Sequence, residues 1–236
     1  HTDHLYSVAW IDCQASGLSR GRSIVLLGDH LEDPQRGRSL HRPQRLNIPC
    51  HFPSWVLNTY TIKLFNTLYY RRQWQRQRDT VVHYDPFFYP LDVVGCWNRL
   101  YGRPGFLQYQ CVVPFRDGIE VMDQLIERVA TRGWGSFLAV LKTFGPQDGL
   151  LSFPMPGYTL SLDFPLRHHG LVDFLRTLNK VVLQAGGRIY LAKDAVLERE
   201  DFLAMYPKVN AFKRIKAVYD PKSLFRSLQS DRLGLT

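Results

Sequence analysis

Two lysines 51 positions apart, Lys142 and Lys193, are the cations whose placement in this sequence could do chemistry. Each falls near the end of an apolar, strand-like segment, and the same punctuation precedes each at the same offset. Pro114, Arg116 and Gly135 before Lys142 recur as Pro165, Arg167 and Gly186 before Lys193. Short polar side chains stand at alternate positions close by, Gln108 and Gln110 in one segment and Thr159 and Ser161 in another. Ammonium, amide and hydroxyl groups gathered on one surface can hold a polar or anionic ligand.

The recurrence describes the elements that must position these groups: strand, Pro-x-Arg, amphipathic helix, glycine, then a strand carrying a lysine near its end. A doubled βαβ unit of this kind predicts an α+β fold, an antiparallel ferredoxin-like sheet with both helices on one face. Side chains alternate across a strand, so Tyr109, Cys111 and Val113 share one side with Leu160, Leu162 and Phe164. Those apolar rows meet the helical stripes Ile119, Met122, Leu125, Ile126, Val129 and Leu171, Phe174, Leu175, Leu178, Val182. Gln108, Gln110, Thr159 and Ser161 then lie on the exposed face, with Asp163 next in their row. Polar residues on a solvated sheet face are ordinary, so the pattern alone leaves a binding face and a plain surface both open.

The 236 residues, 45% hydrophobic and 13% aromatic, suffice for a sizeable core. No apolar run of about 20 residues is long enough to span a membrane. The formal charge of +9 points to phosphates or an anionic membrane surface as partners. Its densest cluster, Arg71, Arg72, Arg76 and Arg78 around Trp74, is either a solvated helix end or a lipid-headgroup contact. Cys13, Cys50, Cys96 and Cys111 are scattered without metal or redox spacing. No metal is expected, and free thiols suit a reducing, cytoplasmic compartment.

Tyr6–Asp12 and Ser23–Leu27 read as strands joined through Gly17 and Gly21 that extend the sheet. Residues 29–53 read as a long loop. A helix is expected over 55–70, capped by Ser54, with Val56, Tyr60, Leu64 and Leu68 on one face. Residues 80–101 read as short strands and turns. Within them the aromatic run Asp85–Pro90, expected to be non-helical, is either an apolar ligand contact or a satellite core. Short helices follow from about residue 198. The expected division is a substrate-binding or cap domain over 1–194 and a helical segment over 195–236. The start at His1 reads as a fragment of something longer.

Several segments in order resemble one family: Phe137-Leu-Ala-Val-Leu-Lys142-Thr-Phe-Gly145, Leu151-Ser-Phe-Pro-Met-Pro-Gly157, Asp163-Phe-Pro165, Gly187-Arg-Ile-Tyr190-Leu-Ala-Lys193-Asp194 and Met205-Tyr-Pro207. They resemble the decaprenylphosphoryl-β-D-ribose oxidase family of FAD-linked oxidoreductases, in the vanillyl-alcohol oxidase superfamily. The likeness is strongest over 105–235. It implies a cap domain whose sheet covers a flavin, and a C-terminal segment that returns to an FAD domain lying outside these residues. No glycine-rich pyrophosphate cradle is recognisable here, so FAD would be bound mainly by that absent domain.

The resemblance implies roles for Lys193 and Tyr190 at the flavin and substrate, as catalytic and cofactor-binding residues. It implies substrate-pocket roles for Lys142, Gln108, Gln110, Phe144, Thr159 and Ser161. A fixed cation near the flavin pyrimidine would stabilise the anionic reduced ring. Two positions depart from the family: Ser161 stands where a cysteine is usual, excluding covalent capture by a thiol, and Thr159 replaces an asparagine. The implied substrate is a lipid-linked or free sugar oxidised at a secondary hydroxyl, with a separate NADH-dependent ketoreductase completing an epimerisation. A cytoplasmic protein working peripherally at the inner membrane would fit. A sugar-lactone oxidase is the alternative within the class. A nucleic-acid-binding module of βαββαβ order is the alternative outside it. That module needs aromatics on its first and third strands, where this chain has Gln108, Gln110, Thr159 and Ser161, so no nucleic acid is expected.

Overall fold

The computed structural model describes residues 4–31, 46–91 and 93–236. Its centre is a six-stranded antiparallel sheet in the order β2-β1-β6-β7-β5-β8. These strands are β1 (Tyr6–Ile11), β2 (Ser23–Gly28), β5 (Phe106–Pro114), β6 (Ala139–Phe144), β7 (Gly157–Pro165) and β8 (Arg188–Ile189). A separate parallel pair joins β3 (Leu46–Asn47) to β4 (Val94–Gly95). Among the described residues seven helices complete an α+β architecture: α1 (Thr59–Arg72), α2 (Tyr84–Phe88), α3 (Gly118–Arg132), α4 (Leu171–Gln184), α5 (Arg199–Met205), α6 (Val209–Tyr219) and α7 (Leu228–Leu233). Among the described residues no helix is long and apolar enough to cross a membrane. Most of the expected 29–53 loop lies outside the described residues.

The apolar rows behave as their spacing predicts, except that Ile119, expected in the buried stripe, sits in the first turn of α3 and is 65% exposed. Tyr109, Cys111 and Val113 of β5 stand opposite Leu162, Leu160 and Tyr158 of β7. They form one buried cluster with Met122, Leu125, Ile126 and Val129 of α3 and Leu171, Phe174, Leu175, Leu178 and Val182 of α4. Burying side chains of this size contributes about 1.5–3 kcal/mol each. Phe202 and Met205 of α5, Tyr206, Val209 and Leu233 join the same cluster, and the Tyr206 hydroxyl donates to the Ile189 carbonyl at 2.6 Å. The C-terminal helices therefore share the core of the sheet. Cys111 is fully buried within it, and burial pushes its thiol up to about 12.

The two recurring glycines serve different ends. Gly186 has φ +71, the left-handed region where a Cβ is strained. A Cβ on Gly135 would instead lie 2.7 Å from Gln14 and 2.9 Å from the Cys13 sulfur, so its role is close approach of the chain to β1's continuation.

Five expectations give way to tertiary contacts. The first helix begins at Thr59, not 55, because Asn58 rather than Ser54 caps it: Asn58 Oδ1 accepts from the Tyr60 and Thr61 amides, and Thr61 Oγ1 accepts from the Asn58 amide. Its buried residues are Ile62 and Asn66, whereas Tyr60, Leu64 and Leu68 are 85%, 61% and 60% exposed. Asn66 turns inward because its Nδ2 donates to the buried Asp12 carboxylate at 2.8 Å, a polar group that cannot be left unsatisfied. The Asp85–Pro90 run does contain a one-turn helix, α2. Pro86 is tolerated there because first-turn amides lack intrahelical partners anyway.

The face opposite α3 and α4 is only partly free. Trp10 of β1 packs on Tyr69 of α1, with ring centroids 4.8 Å apart. Tyr101, Phe137 and Ile62 form a second buried cluster beside it. The end of the face nearest Phe144 and Tyr190 remains accessible. Finally, β8 stops at Ile189, so Lys193 stands not on a strand but in a short 3-10 turn, Leu191–Lys193. The backbone still follows the sheet edge for one more bond, Tyr190 N to Gln110 O at 2.9 Å, before turning.

Candidate active site on the partly open sheet face

The register of the central strands assembles the polar row. Gln108 lies opposite Asp163 and Gln110 opposite Ser161 across β5 and β7. Lys142 lies opposite Thr159 across β6 and β7. Side-chain bonds tie the rows together: Gln108 Nε2 donates to Asp163 Oδ1 at 3.2 Å and Gln110 Nε2 to Thr159 Oγ1 at 3.1 Å. The 3-10 turn after β8 brings Lys193 over this row, and its Nζ donates to Ser161 Oγ at 3.1 Å.

The aromatic rim comes from three segments. Tyr190 stacks on Phe153, centroids 4.6 Å apart, and Phe153 meets Phe144 edge-on at 5.8 Å. The eight residues singled out from the sequence therefore stand on or around one surface. Their exposure is less uniform than alternation suggests. Gln108, Gln110 and Ser161 are half-buried, but Thr159 is only 1% exposed, because Gln110 and its neighbours close over it. Thr159 can shape this surface but offers little area to a ligand.

Three further residues belong here. Asp163 is 1% exposed, with its second oxygen accepting from the Tyr101 hydroxyl at 3.4 Å. Alternation had already put Asp163 in the row; its burial was invisible because Tyr101 arrives from a distant segment. Phe153 lies in the 145–157 connection, which has no periodicity to reveal it.

Electrostatically the site holds two cations and one buried acid. Burial pushes the Lys193 ammonium below its ordinary range, the Lys142 charge adds to that, and Asp163 opposes it. Burial drives Asp163 up to about 6, held back by the Gln108 bond, Lys193 and Tyr101. Such perturbed groups mark places where protonation can be tuned. Lys193 has three donors with one recorded partner, so it can also meet an electron-rich ring or a phosphate. A flavin's pyrimidine carbonyls fit that donor set and the polar row beneath it.

Residues 160–233 match the family of D-arabinono-1,4-lactone oxidase. The chain is 37% identical over 241 residues to the decaprenylphosphoryl-beta-D-ribose oxidase of Mycolicibacterium smegmatis, covering 99% of this chain and 52% of that protein. It is 33% identical over 248 residues to an uncharacterised protein in the mprA 5' region of Streptomyces coelicolor, covering 98% of this chain and 66% of that one. The chain is thus a relative of decaprenylphosphoryl-β-D-ribose oxidase-type FAD-linked oxidoreductases, spanning about half the length of the first of these proteins.

Proposed function

We propose that this chain is the substrate-binding portion of an FAD-dependent oxidoreductase that oxidises a secondary hydroxyl of a sugar, namely a pentose linked to a polyprenyl phosphate. The observation that carries this reading is Lys193 held over Ser161, with Lys142 and the two glutamines on the same accessible face. FAD, when bound, supplies the two-electron acceptor for the hydride leaving the carbinol carbon. Lys193, Tyr190 and the polar row would face it, with FAD otherwise held by the half of the protein outside this chain.

Each residue has a distinct part in this reading. Lys193 presents fixed positive charge where negative charge develops, which needs no reorganisation at the moment of reaction. Gln108 and Gln110 orient sugar hydroxyls, and Lys142 meets a phosphate or further hydroxyls at the accessible end. Phe144, Phe153 and Tyr190 wall the site and exclude water. Ser161 offers a hydroxyl and no thiol at this point, which leaves non-covalent capture alone.

Oxidation at one carbon yields a ketone, so a separate NADH-dependent ketoreductase would complete an epimerisation. A lipid-phosphate substrate also calls for a membrane surface. The outward stripe Tyr60, Leu64 and Leu68 of α1, continued by the exposed Trp74 and Arg71, Arg72, Arg76 and Arg78, has the composition such a surface attracts.

The test is anaerobic reduction of the flavin in protein that carries its flavin-binding half. A polyprenyl-phosphate pentose is expected to bleach the flavin and aldonolactones to leave it oxidised. The reverse would establish the lactone-oxidase reading, which the match over 160–233 favours. Bleaching by neither would end the proposal.

A further inference from the structure

Asp163 is a carboxylate in an environment that opposes its charge. It is 1% exposed, and its recorded partners are two neutral donors, Gln108 and Tyr101. A buried carboxylate without a contacting cation lowers stability, so its presence on the site face calls for a role. Two residues back on the same side of β7, Ser161 accepts from Lys193. Alternate residues of a strand are about 7 Å apart, which puts the carboxylate and the ammonium in one row without direct contact.

The charged and titratable groups around Lys193 come from every neighbouring element: Lys142 on β6, Asp163 on β7, Tyr101 before β5 and Tyr190 at the end of β8. Asp163 is the anion among them that acts on Lys193; Asp194, the next residue in the chain, is engaged instead by Arg232 and the Val196 and Leu197 amides. Without Asp163, Lys142 and the partial burial of the site would act together against the Lys193 charge.

We propose that Asp163 is a positioning residue for Lys193, a buried counter-charge that keeps the ammonium protonated and turned over the sheet toward Ser161. The effect passes through the field along β7 and is at its strongest because water is excluded there. The purpose of this arrangement rests on the substrate-site reading; the coupling does not.

The coupling is measurable in this chain without flavin or sugar. Pulsed acetylation across a pH series, read by peptide mass spectrometry, gives the protonation midpoint of Lys193, with the exposed Lys222 as internal reference. Asp163→Asn is expected to lower the Lys193 midpoint by about one pH unit, a tenfold rise in its unprotonated fraction at a given alkaline pH, and to leave Lys222 unmoved. A Lys193 midpoint that stays in place overturns the proposal.

Should Asp163→Asn fail to fold, Lys193→Met supplies the reciprocal measurement. Coupling is mutual, so removing the ammonium must raise the Asp163 midpoint, followed by carboxyl carbon NMR; an unchanged midpoint is equally fatal. In the flavin-loaded protein, Asp163→Asn should shift the basic limb of the kcat profile to lower pH. Absence of flavin reduction in wild type would refute the proposed function and leave the Asp163–Lys193 coupling standing or falling on acetylation alone.

Discussion

Lys193 uses one ammonium donor on Ser161, and the assigned chemistry depends on the charge that remains. Lys193→Met keeps the stem's packing and removes that charge. The expected result is flavin reduction by substrate slowed about 100-fold with FAD still bound, the size associated with losing one preorganised electrostatic contact. A rate within twofold of wild type would show that Lys193 has no such part. Asp163 yields a stability prediction whose sign follows from linkage. Its folded pKa of about 6 lies above the ordinary 3.8, so the folded protein binds more protons than the unfolded chain between these values. Stability from this group is therefore present below about pH 4 and lost as pH rises through 6. Asp163→Asn removes that loss: thermal or urea unfolding should show the variant stabilised by about 1–3 kcal/mol at pH 8, with the gain gone near pH 4. Equal gains at both pH values would mean that burial does not raise the pKa of this carboxyl group.

At the scale of elements, the orientation of α1 and the seating of β8 decide what the face can present. If Asn66 is the inward anchor of α1, Asn66→Ala removes one of the donors to the buried Asp12 carboxylate, which keeps the Gln14 amide and Arg22, and should cost about 1–3 kcal/mol in urea unfolding. Leu64→Ala and Leu68→Ala on the exposed stripe should each stay within about 0.5 kcal/mol of wild type. The opposite ranking would mean that the helix sits on its apolar stripe. The seat of β8 depends on Gly187, where a Cβ would come within 2.3 Å of the Val112 carbonyl and 2.8 Å of Val182. Gly187→Ala is expected to push β8 from β5 at a cost of about 1–3 kcal/mol. It should also disturb Lys193, six residues on, which would appear as a changed acetylation rate; an undisturbed Lys193 would show that the 3-10 turn is held by other contacts.

For the whole molecule, the +9 charge and the outward stripe of α1 should act together at a lipid surface. Co-sedimentation with vesicles containing anionic phospholipid is expected to exceed that with zwitterionic vesicles and to fall with salt. Leu64→Ser with Leu68→Ser should weaken it without shifting the unfolding curve, and binding unaffected by both salt and these changes would exclude this surface. The α+β class and the facing of the apolar rows were legible from residue order alone, because a two-residue strand period is a local property of the chain. The core predicted from them, Cys111 and Leu160 against Leu125 and Leu178, is the core observed. Depth on the other face was not legible: Thr159 and Asp163 share the row of Ser161 yet are sealed, because Gln110 and Tyr101 reach them across the sheet from other segments. Nor was the place of Lys193, which a strand would have pointed along the edge and a 3-10 turn lays over the sheet. Alternation tells which side a residue takes; what lies above it depends on chain that is distant in sequence, and only tertiary packing brings that chain there.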